Sequence, residues 1–157
     1  MDLPAQVSPL PPGAKNYLTP GGARRLRDEL QRLLEVERPR LASAPTEDTD
    51  AKRELQILDQ RIRYLQESLR IAEVADVTPG PTDVVRFGTT VTVRSADVET
   101  KYRIVGVDET DLERNHVSWL SPIARCLMNA KHGDRVIFKA PRGTRELEIT
   151  TIEYEAD

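Results

Sequence analysis

From Ala51 to Ala72 the apolar residues recur in alternating steps of four and three. Ala51, Leu55, Leu58, Ile62, Leu65, Leu69 and Ala72 fall on one stripe, the a/d pattern of a helix zipped along one face to a partner helix. Upstream, Ala23, Leu26, Leu30, Leu33, Leu34 and Leu41 answer it. The spacing predicts a helical hairpin, with a first arm from Pro20 to about Ala44 and a second arm to about Asp76. Thr19 reads as an N-cap with Pro20 at the first helical position, and Gly21 and Gly22 weaken that first turn. Pro45 cannot continue a helix and disfavours the helical conformation at Ala44, and Thr46 can cap the second arm. Each arm is on the order of 40 Å long at ~1.5 Å per residue. Arg24 with Asp28 and Arg63 with Glu67 stand at the i, i+4 spacing of surface ion pairs.

After Thr78-Pro79-Gly80-Pro81 the period changes to alternation. Thr89–Val93, Lys101–Val107 and His116–Leu120 are strand candidates. Ser121-Pro122 is a second N-cap and N1 pair, opening a short helix to about Asn129. Arg135–Lys139 and Arg145–Tyr154 then form a final hairpin closed by Pro141-Arg142-Gly143. The expected division is a poorly ordered tail over residues 1–18, a hairpin over 19–76, a linker over 77–82 and a second domain over 83–157. That second domain is expected to be α+β, an antiparallel sheet with one short helix. No internal repeat is present.

Composition narrows the function classes. Charged residues make up 31% of the chain and aromatics only 4%, which suits a solvated helix pair better than a thick globule. The net charge is −3 with both signs mixed throughout, so no general nucleic-acid-binding surface is expected. Arg24, Arg25, Arg27 and Arg32, with Lys52, Arg53, Arg61, Arg63 and Arg70, are interleaved with acids and read as a solvated face rather than an RNA-binding strip. Cys126 is the one cysteine. It excludes an internal disulfide and points to a reducing cytoplasm. There is no apolar run of membrane length and no signal-peptide core, so a soluble, cytoplasmic protein is expected.

The turn of the hairpin carries the candidate chemistry. Glu47, Asp48 and Asp50 place three carboxylates at one end of a rod. Acids in the first turn of a helix also stabilise its dipole, each by about 0.3–1 kcal/mol, so capping and function coincide there. His116 and His132 lack carboxylate or thiol neighbours at ligand spacing and suggest no metal site. Cys126 shares an apolar helix face with Ile123 and Leu127 and reads as core, as does Trp119. Gly21-Gly22 lacks the pattern and the preceding strand of a phosphate loop.

These residues resemble a known family. Tyr17-Leu18-Thr19-Pro20-Gly21-Gly22, followed by Leu33-Leu34-Glu35-Val36-Glu37-Arg38-Pro39, looks like the opening arm of the bacterial transcript-cleavage factors GreA and GreB. Leu58-Asp59-Gln60-Arg61-Ile62-Arg63-Tyr64-Leu65 resembles their returning arm, closer to the GreB type. Tyr102-Arg103-Ile104-Val105-Gly106, Ser121-Pro122-Ile123-Ala124-Arg125-Cys126-Leu127 and Gly133-Asp134-Arg135-Val136 look like their C-terminal domain. The likeness runs from residue 17 to residue 154.

The resemblance implies a coiled-coil hairpin joined to an FKBP-like domain. That domain docks on RNA polymerase, here through Ser121, Pro122, Ile123, Ala124 and Arg125, and the coiled coil enters the secondary channel. Acids at the tip help to hold the polymerase's second Mg²⁺, so that the polymerase cuts its own backtracked RNA. RNA polymerase is thus the implied partner, nascent RNA is met only indirectly, and the factor acts as a monomer. The factor is no enzyme itself and holds no cofactor of its own beyond Mg²⁺ shared with the polymerase. The family tip has an Asp-Arg-Ser-Glu-Asn run, whereas Glu47-Asp48-Thr49-Asp50 keeps only a three-residue spacing of acids with the types swapped. The hairpin also looks about a dozen residues shorter, which is ~9 Å of reach per arm at ~1.5 Å per residue. Three readings stay open: a channel-occupying regulator, a cleavage cofactor using Glu47, Asp48 or Asp50, and a prolyl isomerase. The last is weakest, since Phe87, Tyr102, Trp119, Phe138 and Tyr154 are also needed for a core.

Overall fold

The computed structural model describes residues 8–156. Its packing divides the chain into two units: Ala23–Glu73 with the described residues up to Asn16, and Val74 onward with the short piece Tyr17–Gly22. Residues 1–7 of the expected tail lie outside the described residues. The tail was expected to run to residue 18, but a strand β1 already spans Asn16–Leu18.

In the first unit the opening arm is built from three pieces. Helix α1 covers Pro20–Arg32, a π turn covers Leu33–Glu37, and α2 covers Arg38–Ala42. The returning arm is the single helix α3, Thr49–Arg70. Leu26, Leu33 and Leu41 of the first arm and Ala51, Ile62 and Leu65 of the second are buried. Leu30, Leu55, Leu58 and Leu69 are half-buried. Leu34, expected on the seam, is 41% exposed. The reason is the π turn. The Arg38 N–H reaches back five residues to the Leu33 carbonyl, so one surplus residue is wound in. Leu41 then arrives at the seam eight residues after Leu33 instead of seven. The same turn accommodates Pro39, which stands in the first turn of α2 where no N–H is required.

Charged pairs link the arms. Arg61 donates to both oxygens of Glu29 at 2.8 and 2.9 Å, and Arg38 donates to Asp59 at 2.9 Å. These groups are partly exposed, so each pair is worth about 0.2–1 kcal/mol and mainly helps register. The expected Arg63–Glu67 pair is replaced by Arg70–Glu67 at 2.7 Å. The hydrogen bond from Arg70 holds the Glu67 carboxyl below the usual carboxylate range.

The second arm ends earlier than the periodicity suggests. Helix α3 stops at Arg70, with Ile71 as its C-cap, and Ala72–Val74 form strand β2, which pairs with β1. Ala72 continues the apolar spacing, but its backbone is taken by a strand partner far away in sequence, which no local pattern reveals. The Asn16 side-chain amide donates to the Ser68 carbonyl at 2.9 Å, satisfying one of the orphan acceptors in the last turn of α3.

The second unit is a sheet with one covering helix. Its strands are β3 (Gly80–Pro81), β4 (Thr89–Ser95), β5 (Val98–Val105), β6 (His116–Ser118), β7 (Arg135–Ala140) and β8 (Gly143–Tyr154). The order is β3-β8-β4-β5-β6, with β7 also on β8. The sheet is mixed rather than antiparallel throughout, because β6 runs parallel to β5. The connection between them contains two short 3₁₀ turns, Val107–Glu109 and Leu112–Arg114, and brings the chain round to re-enter in the same direction. Ala96 and Asp97, both at positive φ, close the β4–β5 hairpin. Thr150 bulges out of the β4–β8 ladder, and its hydroxyl donates to the Thr92 carbonyl at 3.1 Å. Val91, Val93, Ile104, Leu147, Ile149 and Ile152 supply the sheet side of the core. Ala124 and Leu127 of helix α4, Pro122–Leu127, supply its other side.

Candidate functional site

The acidic turn is short and ordered by its own backbone. The Asp48 N–H donates to the Pro45 carbonyl at 3.0 Å, closing a four-residue turn over Pro45–Asp48. Asp48, and not Thr46, is the N-cap of α3: its backbone is extended, and its carboxylate accepts from the Ala51 N–H at 3.0 Å. Asp48 therefore spends an oxygen on the helix. Glu47 and Asp50 do not. Both are exposed, and neither has a partner among the described residues. The arrangement is two unengaged carboxylates on either side of a fixed one. Among the described residues no three Asp, Glu, His or Cys side chains converge in a metal-holding cluster. The turn can thus offer oxygen ligands to a cation held elsewhere, which suits Mg²⁺ with its one or two carboxylates and retained waters.

The candidate docking segment starts at Ser121, whose hydroxyl accepts from the Ala124 N–H at 3.3 Å as the cap of α4. Pro122 and Arg125 are exposed, Ser121 and Ile123 half-buried, and Ala124 lies fully in the core. The helix therefore sorts the five residues into an outward set and one supporting residue.

Cys126 is half-buried rather than core, and its thiol donates to the Ile137 carbonyl of β7 at 3.2 Å. Burial pushes the thiol above its ordinary range, and the thiolate is the reactive form. Cys126 should accordingly react with iodoacetamide at pH 8 more slowly than free cysteine, because a smaller fraction of it is thiolate. A rate equal to that of free cysteine would show the thiol to be open and unshifted.

A third group of residues escaped sequence reading altogether. Glu109 sits on the 3₁₀ turn Val107–Glu109 and accepts from the Gly106 N–H at 2.7 Å. It also accepts from the Thr19 N–H at 3.1 Å and, through a short bond, from the Thr19 hydroxyl. That hydroxyl in turn accepts from the Gly22 N–H at 3.0 Å. One carboxylate thus caps its own turn and, through Thr19, the start of α1. Gly22 is glycine because a Cβ there would overlap the Glu109 carboxylate, and Gly106 because one there would overlap the Tyr17 carbonyl. The only trace in the sequence is the costly Gly21-Gly22 pair inside a helical start.

Comparison with known proteins places the chain. The family description "Transcription elongation factor, GreA/GreB, C-term" matches residues 80–154. The chain is 40% identical over 154 residues to "Transcription elongation factor GreB" of Neisseria meningitidis serogroup A, covering 89% of this chain and 94% of that one. This chain belongs to the GreA/GreB family. It is also 37% identical over 153 residues to "Transcription elongation factor GreA" of Francisella tularensis subsp. novicida, covering 88% of this chain and 96% of that one. Among solved structures it is similar to a "Prokaryotic transcription elongation factor GreA/GreB from Nitrosomonas europaea", with 22% identity, a TM-score of 0.44, and coverage of 90% of this chain and 99% of that one.

The GreB match also bears on length. Its 154 aligned positions take up 89% of this chain, which is about 140 residues, so about 14 positions of that GreB have no counterpart here. No helix among the described residues is long and apolar enough to cross a membrane.

Proposed function

We propose that this Gre-family chain binds RNA polymerase through the outward side of α4 and places the acidic turn at Glu47–Asp50 in the secondary channel, where it modulates elongation or initiation. The first unit is then the family's coiled coil and the second its FKBP-like domain. The observation that carries this reading is the 40% identity to a transcription elongation factor over 89% of the chain. Support for regulation over cleavage comes from the positions missing relative to that factor and from Asp48, which is spent on capping. This reading takes those missing positions to lie in the helical arms; carboxylate–metal distances hold within about 0.2 Å, so arms shortened in that way do not bring the acids to a metal in the same place.

A second reading, transcript cleavage, draws on Glu47 and Asp50. They keep a three-residue spacing, are exposed, and are free to donate oxygen to Mg²⁺. The two readings part in one assay: a stalled, backtracked elongation complex with and without saturating protein. Regulation predicts altered transcript yield with the cleavage rate unchanged. Cleavage predicts a rate raised by orders of magnitude. Docking is tested with Arg125→Glu, which reverses an exposed charge on α4 and should weaken polymerase binding about tenfold if Arg125 faces an acidic surface, a loss of ~1.4 kcal/mol. Undiminished affinity would move the docking face off α4.

A further inference from the structure

We propose that Glu109 is a positioning residue: it latches the first turn of α1, and the action of the acidic turn depends on that latch. The proposal rests on the polymerase reading above, but its geometry does not.

The N–H groups of Gly106 and Thr19 and the Thr19 hydroxyl all meet one carboxylate. The hydroxyl passes the interaction on to the Gly22 N–H, one of the orphan donors at the start of α1. Thr19 is 1% exposed, and Gly21 and Gly22 are buried, so a broken bond here leaves buried polar groups without water to replace it. An ordinary N-cap needs only Thr19. The carboxylate behind it adds a charge-assisted bond that polarises the hydroxyl and strengthens its hold on the helix.

The sequence accepts a cost for this. A glycine inside a helix is unfavourable relative to alanine, and Gly22 is retained where a methyl would occupy the carboxylate's place. Capping alone does not explain that glycine; the room it leaves for Glu109 does. Without the latch the first turn of α1 frays, and everything borne on the helix beyond it is held less firmly.

The test is a double-mutant cycle in the full chain with Glu109→Ala, Gly22→Ala and both together. It is read by hydrogen exchange at the Thr19 and Gly22 amides, by polymerase affinity, and by the effect on transcription at saturating protein. Each single variant is expected to speed exchange at these amides about tenfold or more, because a protected amide opens. Each should also cut the saturating effect severalfold while affinity stays within about twofold. The double variant should be no worse than Glu109→Ala, since Gly22→Ala acts through the carboxylate and has nothing left to displace. Losses that add, or a saturating effect equal to wild type in both single variants, would overturn the proposal.

If Glu109→Ala unfolds the second unit, seen as lost affinity, Thr19→Val takes its place. It removes only the hydroxyl, and it must lower the saturating effect with affinity kept, or the latch is wrong. If the wild-type chain neither binds polymerase nor alters transcription, the functional reading fails instead. Non-additive exchange would then uphold the latch, and additive exchange would reject it.

Discussion

Leu65→Ala is expected to destabilise the helical arms by about 2–5 kcal/mol, the range for a leucine deleted from a packed core. Leu65 is fully buried, the innermost residue of α3. Few side chains on a two-helix unit are so enclosed, and where the cost falls in that range depends on how far the arms close over the gap. Leu58→Ala, on the same stripe but half-buried, should cost clearly less. Urea denaturation followed by far-ultraviolet circular dichroism would compare the two. That signal weights the helices, so a separate transition of the sheet does not mask it. Equal and small losses at both positions would mean that the arms are not held by this seam.

The second large effect concerns the turn. Replacing Glu47, Asp48 and Asp50 together by Ala should abolish the action on transcription at saturating protein, by more than about tenfold, while polymerase binding persists. Single variants separate charge from capping. Asp48→Ala removes the acceptor for the Ala51 N–H and should cost about 1 kcal/mol of helix stability. Asp48→Asn keeps an acceptor and removes only the charge. Glu47→Ala with Asp50→Ala removes the two unengaged carboxylates without touching the cap. If the action follows the unengaged carboxylates, the Glu47/Asp50 pair dominates and Asp48→Asn is nearly silent; if it follows total charge, Asp48→Asn loses activity in step with the other single variants. If the triple variant acts like the wild type, the acids are helix furniture and the action lies elsewhere.

What could be read from the sequence follows from where the determinants lie. The stripe from Ala51 to Leu69, the Ser121-Pro122 helix start and the Pro141-Arg142 turn are local patterns, and each is present in the structure. What was missed depends on distant partners. The end of α3 at Arg70 is decided by pairing with β1, some fifty residues upstream. The parallel β5–β6 pair arises from the path of the intervening turns, and no residue near either strand announces it. Thr46 and Asp48 both satisfy the chemistry of a cap, and only the closed Pro45–Asp48 turn selects between them. In the candidate site, the acids and the α4 residues were visible as types in order. Glu109 was not, because its partner Thr19 and the glycine that makes room for it, Gly22, lie ninety and eighty-seven residues away.

The π turn at Leu33–Glu37 gives the first arm a tolerance to insertion and deletion that the second arm lacks. A regular helix that gains one residue rotates everything after it by about 100° and drags its apolar stripe off the partner. Here the surplus residue is absorbed within a single loop of backbone, so Leu26, Leu33 and Leu41 share a face despite the added length. Losing one residue from that loop would return the arm to a regular helix with Leu41 still facing α3, and the remaining obstacle would be Pro39, whose ring would then press on the carbonyl one turn back. Length in this arm is thus adjustable at one place, and the proline guards the longer version.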